Sequence, residues 1–157
     1  MNPSRLRLPL LSLLLAMSGC ATRLPQPVSG YTCCNLRPSY GWIYSENLLG
    51  GAIIPAGEPV QLDKVKRDIF FYGTIGGEYI ASGDNAERSV EGTQRWLRQL
   101  MAPKDPRLAL AVWSTEVQNA VRSAKVMVGM SREQVLMSLS YSSRDETPDL
   151  HAGVWRY

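Results

Sequence analysis

Three cysteines carry the clearest chemistry in this 157-residue chain. Cys20 follows Met17-Ser18-Gly19 and closes a leader with Arg5 and Arg7 near its start and an apolar run from Leu8 to Met17. A positive start, an apolar run, two small residues and a cysteine, in that order, read as a bacterial secretory signal ending in a lipobox. The chemistry is thioether formation: cleavage of residues 1–19 and a lipid on the Cys20 sulfur. Each buried acyl CH₂ contributes about 0.8 kcal/mol, and two chains hold stably where one does not, so a diacylglyceryl group on Cys20 is an anchor by itself. The apolar run is about half of the roughly 20 residues that a spanning helix needs, so it reads as a leader and not as a transmembrane segment.

Cys33 and Cys34 are neighbours, and they are the last cysteines of the chain. Adjacent Cα atoms lie about 3.8 Å apart, whereas disulfides prefer roughly 4.4–6.8 Å. Two small, reduced, partly buried thiols are therefore the default. A vicinal redox pair or an intermolecular bridge in an oxidising compartment remain as alternatives. The chain has one histidine, His151, in a polar stretch with Asp145, Glu146 and Asp149. It lacks a G-x-S-x-G elbow and a second His for a metal pair, and the acids lack EF-hand spacing. A solvated acidic loop follows, with no catalytic residues, no metal and no cofactor beyond the lipid on Cys20.

The elements that must carry these residues change character along the chain. Arg5 and Arg7 leave with the leader, so the 17 basic and 14 acidic residues of the whole chain become nearly balanced. No basic run remains, and nucleic acid is not an expected partner. Residues 20–30, with Pro25, Pro27 and Gly30, read as a lipidated cysteine and flexible tether. Residues 31–83 read as β-rich, with a strand at Gly41–Tyr44, a strand-turn-strand at Ile53–Val60, and Gly73–Gly77 turning into Glu78–Ala81. Residues 84–157 read as helical. Asp84 and Glu87 suggest a capping box before Val90, Thr93, Leu97 and Leu100. Ser114 caps a second helix to about Ala124. Ser131 and Gln134 form a capping box for a third, with Met130 and Val135 spaced as a hydrophobic staple and Val135, Leu136 and Leu139 as its buried face. Val154-Trp155-Arg156-Tyr157 alternates like a strand. Trp42, Trp96, Trp113 and Trp155 are packing residues by default and partner anchors otherwise.

Lys125-Val126-Met127-Val128-Gly129-Met130-Ser131-Arg132-Glu133-Gln134-Val135 resembles the V-x-x-G-M-T-x-x-Q-V core of the BamE (SmpA/OmlA) lipoprotein family. Ser131 takes the usual Thr position. Leu139, Pro148 and Trp155-Arg156-Tyr157 follow the family's L-G-x-P … W-x-Y order in outline. Ser140 stands where the family has a helix-ending Gly, a residue that takes φ > 0 without strain. The resemblance covers about residues 125–157. It implies an α+β module of helices packed on a small antiparallel sheet, here truncated at its C-terminal strands. It also implies an accessory role in the machinery that folds β-barrels into the outer membrane, or in envelope integrity. Ala21, where bacterial lipoproteins held at the inner membrane tend to carry Asp, implies the periplasmic face of the outer membrane. The fold expected for the whole chain is α+β: a small β-rich, SH3-like region followed by the BamE-like module. Two other functions stay open, namely a peptidoglycan-binding module using residues 31–83 and an enzyme inhibitor of the related inhibitor fold.

Overall fold

The computed structural model describes residues 21–44, 51–83, 87–142, 146–147 and 149–157. The expected lipidation site Cys20, the expected capping residue Asp84, and Asp145 and Pro148 lie outside them. Among the described residues the architecture is mixed α+β, as expected, with a curled six-stranded sheet and four helices. The strands are β1 (Thr22–Thr32), β2 (Trp42–Tyr44), β3 (Pro59–Lys66), β4 (Phe70–Ile75), β5 (Glu78–Gly83) and β6 (Met101–Ala102). The helices are α1 (Val90–Leu100), α2 (Arg107–Leu110), α3 (Thr115–Arg122) and α4 (Arg132–Leu139). The sheet order is β2-β5-β4-β3-β1-β6, antiparallel throughout except for β2 beside β5.

The segment read as a tether is instead strand β1, paired with β3 on one side and β6 on the other. Its prolines explain both the misreading and the geometry. Proline donates no ladder hydrogen bond and is tolerated in strands at irregularities. Pro25 and Pro27 both fall inside the register shift between Arg23 and Val28. The opposite strand is irregular too, with a shift between Leu62 and Lys64 that leaves Asp63 as the extra residue. That bulge brings the β3 backbone against Gly73, where an added Cβ would lie 2.0 Å from the Gln61 carbonyl oxygen.

Alternation along the strands builds the first core. Val60 and Leu62 of β3, Ile75 of β4, Ile80 of β5 and Ile43 of β2 point to one face and are buried with Cys34, Leu36 and Ile54. Helix α1 covers them with Trp96 and Leu100, and Trp96 Nε1 donates to Ser82 Oγ at 2.9 Å. The cap of α1 is Ser89, whose hydroxyl accepts from Gly92 N–H at 3.0 Å. The helix start expected from Asp84 is thus found at Ser89, five residues later in the sequence.

A second core joins Ala56, Leu110, Val121 and Met137, with Trp113, Val117 and Met130 packed at its edge. Helix α1 thus packs with the sheet, while Ala56 from the segment before β3 joins the second core and Tyr141 packs on the first. The strand expected at Val154–Tyr157 is absent, and those residues are irregular. Within residues 87–157, the only described strand is β6, which joins the N-terminal sheet. No described helix is long and apolar enough to cross a membrane.

Candidate functional site

The link from β1 to the bridge residue Leu36 holds the two cores together. Thr32 begins it: its hydroxyl donates to Pro55 O at 2.7 Å and accepts from Glu58 N–H at 3.0 Å. Cys33 N–H donates to Leu100 O at 2.9 Å, at the end of α1. Asn35, only 3 % exposed, does the most. Its Nδ2 donates to Val121 O at 2.6 Å and Ser138 O at 3.0 Å, its Oδ1 accepts from Ala56 N–H at 3.1 Å, and its own N–H donates to Met137 O at 3.0 Å. One side chain therefore ties the end of α3, the end of α4 and the 55–58 turn to the sheet. Buried polar groups of this kind must be paired, and here they are.

Cys33 and Cys34 are joined by a disulfide. This is the vicinal alternative, and it replaces the default reduced pair. In a strand, neighbouring side chains point to opposite faces. Cys33 and Cys34 instead lie in the bend after β1, where both can turn to one side. They line an open cavity of about 360 Å³ with Pro106, Ala109, Leu136, Met137 and Tyr141, and with Glu133. Ser140 Oγ donates to Cys34 Sγ at 3.4 Å.

Asn35 itself lines a larger cavity, about 520 Å³. Its floor is apolar, from Ala56, Leu110 and Val121, and Glu58, Arg107 and Arg122 bring charge to it. The Arg107 guanidinium donates to both carboxylate oxygens of Asp105 at 2.7–3.0 Å. That hydrogen bond holds the Asp105 carboxyl below its usual range and raises the Arg107 guanidinium. Gly57, at φ 89°, packs directly beneath the pair: a Cβ there would meet Arg107 Cγ at 2.6 Å. Arg122 Nη2 donates to Gln118 Oε1 at 3.0 Å.

The motif segment builds a third feature. Ser131 Oγ accepts from Gln134 N–H at 3.3 Å, and Gln134 Oε1 accepts from Ser131 N–H at 2.8 Å, so the capping box forms as its sequence requires. Gly129 turns the chain before it at φ 92°. Met130 packs on the second core, while Val135 lines an apolar groove of about 470 Å³ with Val126, Met127, Val128, Leu139, Trp155 and Tyr157. The fully buried residues of α4 are thus Met137 and Ser138, and Val135, Leu136 and Leu139 are only half-buried. The Asn35 and Lys125 contacts draw that side of the helix inward: Ser138 Oγ donates to Lys125 O at 2.7 Å.

Arg132, which has no motif signal beyond its place after the cap, clamps the C-terminal segment. Its guanidinium stacks 5.5 Å from the Trp155 ring centre and donates to Ala152 O at 2.8 Å and His151 O at 3.2 Å. His151 itself is exposed, with its backbone N–H donating to Asp149 Oδ1 at 2.8 Å. Among the described residues, no group of three or more His, Cys, Asp or Glu is placed to hold a metal ion.

The outer face of the sheet, away from α1, carries an aromatic cluster that sequence reading passed over. Trp42 stacks on Tyr44 at 5.5 Å and meets Phe70 and Tyr72 edge-on at 5.6 and 5.9 Å. Between β2 and β4, strand β5 presents only Ala81 and Gly83 in register with these rings, so the aromatics close over a gap left by small residues. The signal was the spacing of Trp42 and Tyr44 around buried Ile43. A scan against protein-family models, a search of curated proteins and a search of solved structures each found no match to this chain.

Proposed function

We propose that this chain is a lipid-anchored, non-catalytic accessory protein on the periplasmic face of the outer membrane. It would scaffold outer-membrane protein assembly or support envelope integrity. The observation that carries this reading is the apolar groove of residues 126–128, 135, 139, 155 and 157. It is formed by the same segment that resembles the BamE core, and Val128 at its edge is fully exposed. Apolar side chains grouped in this way mark interaction surfaces more often than scattered exposed ones do. A lipid on Cys20 would hold the groove at the membrane, so that a weak contact becomes effectively intramolecular. In this reading α3 and α4 are the helices of a BamE-like module, and the curled sheet is its SH3-like companion. The test is a photo-crosslinking residue at position 128 in intact cells, followed by mass spectrometry of the adducts. Adducts with β-barrel assembly proteins, lost in Cys20→Ser, are the expected result. Adducts confined to proteins outside that machinery would count against it.

A second reading, peptidoglycan binding, is favoured by the aromatic cluster on the outer sheet face. Aromatic rings offer flat apolar surface with little side-chain entropy to lose on binding. Co-sedimentation with purified peptidoglycan that disappears in Trp42→Ala would establish it. Sedimentation unchanged by that substitution would remove the sheet face as the site.

A further inference from the structure

The bridge between Cys33 and Cys34 contributes little of what structural disulfides contribute. A disulfide stabilises mainly by restricting the unfolded chain, and more so the longer the loop it closes. A bond between neighbours encloses no intervening residue. Its placement suits another use. Cys34 is 1 % exposed and belongs to the sheet core, whereas Cys33 is half-buried, and both line the open cavity walled by Ala109, Leu136 and Tyr141. The Ser140 hydroxyl is already directed at the Cys34 sulfur.

We propose that Cys33–Cys34 is a thiol-exchange site, opened through this cavity by a dithiol. One thiolate of the incoming dithiol attacks Cys33 Sγ. The S–S bond breaks, and its electron pair leaves on Cys34 Sγ, where the Ser140 O–H hydrogen bond steadies the thiolate until it takes a proton. The second thiolate of the reagent then attacks the mixed disulfide. Cys33 leaves and is protonated, and the reagent departs as a disulfide. Two electrons and two protons pass from the dithiol to the cysteine pair. Exchange rates depend on access to the attacked sulfur and on the stability of the leaving thiolate, and the cavity and Ser140 supply these two conditions. Opening the bond frees the link that leads into Asn35, the residue that ties the cores together. This proposal does not rest on the docking reading.

The test uses full-length protein in detergent and dithiothreitol as the dithiol, with alkylation at timed intervals and peptide mapping to separate Cys33 and Cys34 from Cys20. The bond is expected to open in native buffer. Ala109→Leu and Leu136→Trp narrow the cavity from two walls, and each should slow opening about tenfold by restricting access. Ser140→Ala should slow it about threefold by weakening the leaving group. Near-UV circular dichroism identifies any variant that fails to fold, and the two cavity variants stand in for one another. In denaturant all rates should converge. A bond that survives dithiothreitol until the protein is denatured overturns the proposal, as do folded cavity variants that open at the wild-type rate.

Discussion

The amide of Asn35 satisfies backbone groups from three segments far apart in sequence, and its chemistry leaves no substitute. Two carbonyls need a donor and one N–H needs an acceptor, and only a carboxamide at this position offers both. Asn35→Ala would leave Ser138 O and Ala56 N–H unpaired in the interior, and would leave Val121 O with only the Ala124 N–H at 3.0 Å. At about 1 kcal/mol or more for each of the two orphaned groups, the expected loss is about 2 kcal/mol, read as a lower urea midpoint. An unchanged midpoint would mean that the two cores do not depend on this side chain. Ser140 makes the opposite case. It closes α4 at φ 71° and ψ −170°, a region that side chains disfavour, and it does so while 2 % exposed. Leu136 O accepts its N–H at 2.8 Å and Tyr157 Oη donates to its carbonyl at 3.2 Å, and these contacts hold the conformation in place. Ser140→Gly should therefore raise stability by about 1 kcal/mol, the relief of strain exceeding the added freedom of the unfolded chain. A fall in thermal midpoint would show that the hydroxyl contact to Cys34 outweighs the backbone term. The sequence marked Ser140 only as a departure from a resembled family's helix-ending Gly, and its positive φ is a finding of the structure. The role of Asn35 was not legible in the sequence at all, because its partners lie 86 and 103 residues away and leave no local pattern.

Among the elements, those with local chemistry could be read and those set by pairing could not. The β4–β5 hairpin turns at Gly76 and Gly77, both at positive φ, which is what a two-residue hairpin loop demands and what glycine supplies. The β3–β4 hairpin turns through Arg67 and Asp68 at φ 55° and 57°, with no glycine to mark it. The capping box of α4 was visible because both of its partners lie within four residues. Strand β1 was not, since its proline-rich composition is that of a tether and only the neighbouring strands reveal the ladder. The bulge in β3 shows how strongly pairing constrains single residues. Gly73 lies opposite Leu62, and an added Cβ would meet the Gln61 carbonyl and Leu62 Cα at 2.0 and 2.6 Å. Both obstacles are backbone in a central strand pair, so neither can swing aside. Gly73→Ala should destabilise the sheet by about 3 kcal/mol, at the upper end of overpacking effects. Hydrogen exchange should show β3, β4 and β5 losing protection together. Retained protection across β3 would mean that the bulge can shift, and would remove the constraint.

At the scale of the whole molecule, the C-terminal segment is what closes the structure over α4. Arg132 holds the turn at residues 150–152, Thr147 exchanges hydrogen bonds with the Arg156 backbone at 2.8 and 3.0 Å, and Tyr157 reaches the end of the helix. The sequence indicated an extended pattern here but not that side chains would replace a strand ladder in fixing it. This attachment should be visible in the pH dependence of stability. Burial, with a smaller contribution from nearby Tyr141, pushes the Tyr157 phenol up from 10.0 to about 12, and burial raises Tyr141 in the same direction. The folded state thus favours the neutral phenol, while the unfolded chain releases its proton near pH 10. Below pH 10 both states hold the proton, and the stabilisation is fully present. Between pH 10 and about 12 the unfolded state binds fewer protons, so stability falls as pH rises. Urea midpoints measured from pH 8 to 11.5 should be level at first and then decline. Tyr157→Phe should start lower, by about 1 kcal/mol for the lost hydrogen bond to Ser140 O. It should then decline less steeply, because only Tyr141 and ordinary surface groups remain to titrate. Parallel curves for the two proteins would mean that the Tyr157 phenol is not held neutral by its surroundings, and that the C-terminal segment is not docked on α4 in the way the hydrogen bond to Ser140 describes.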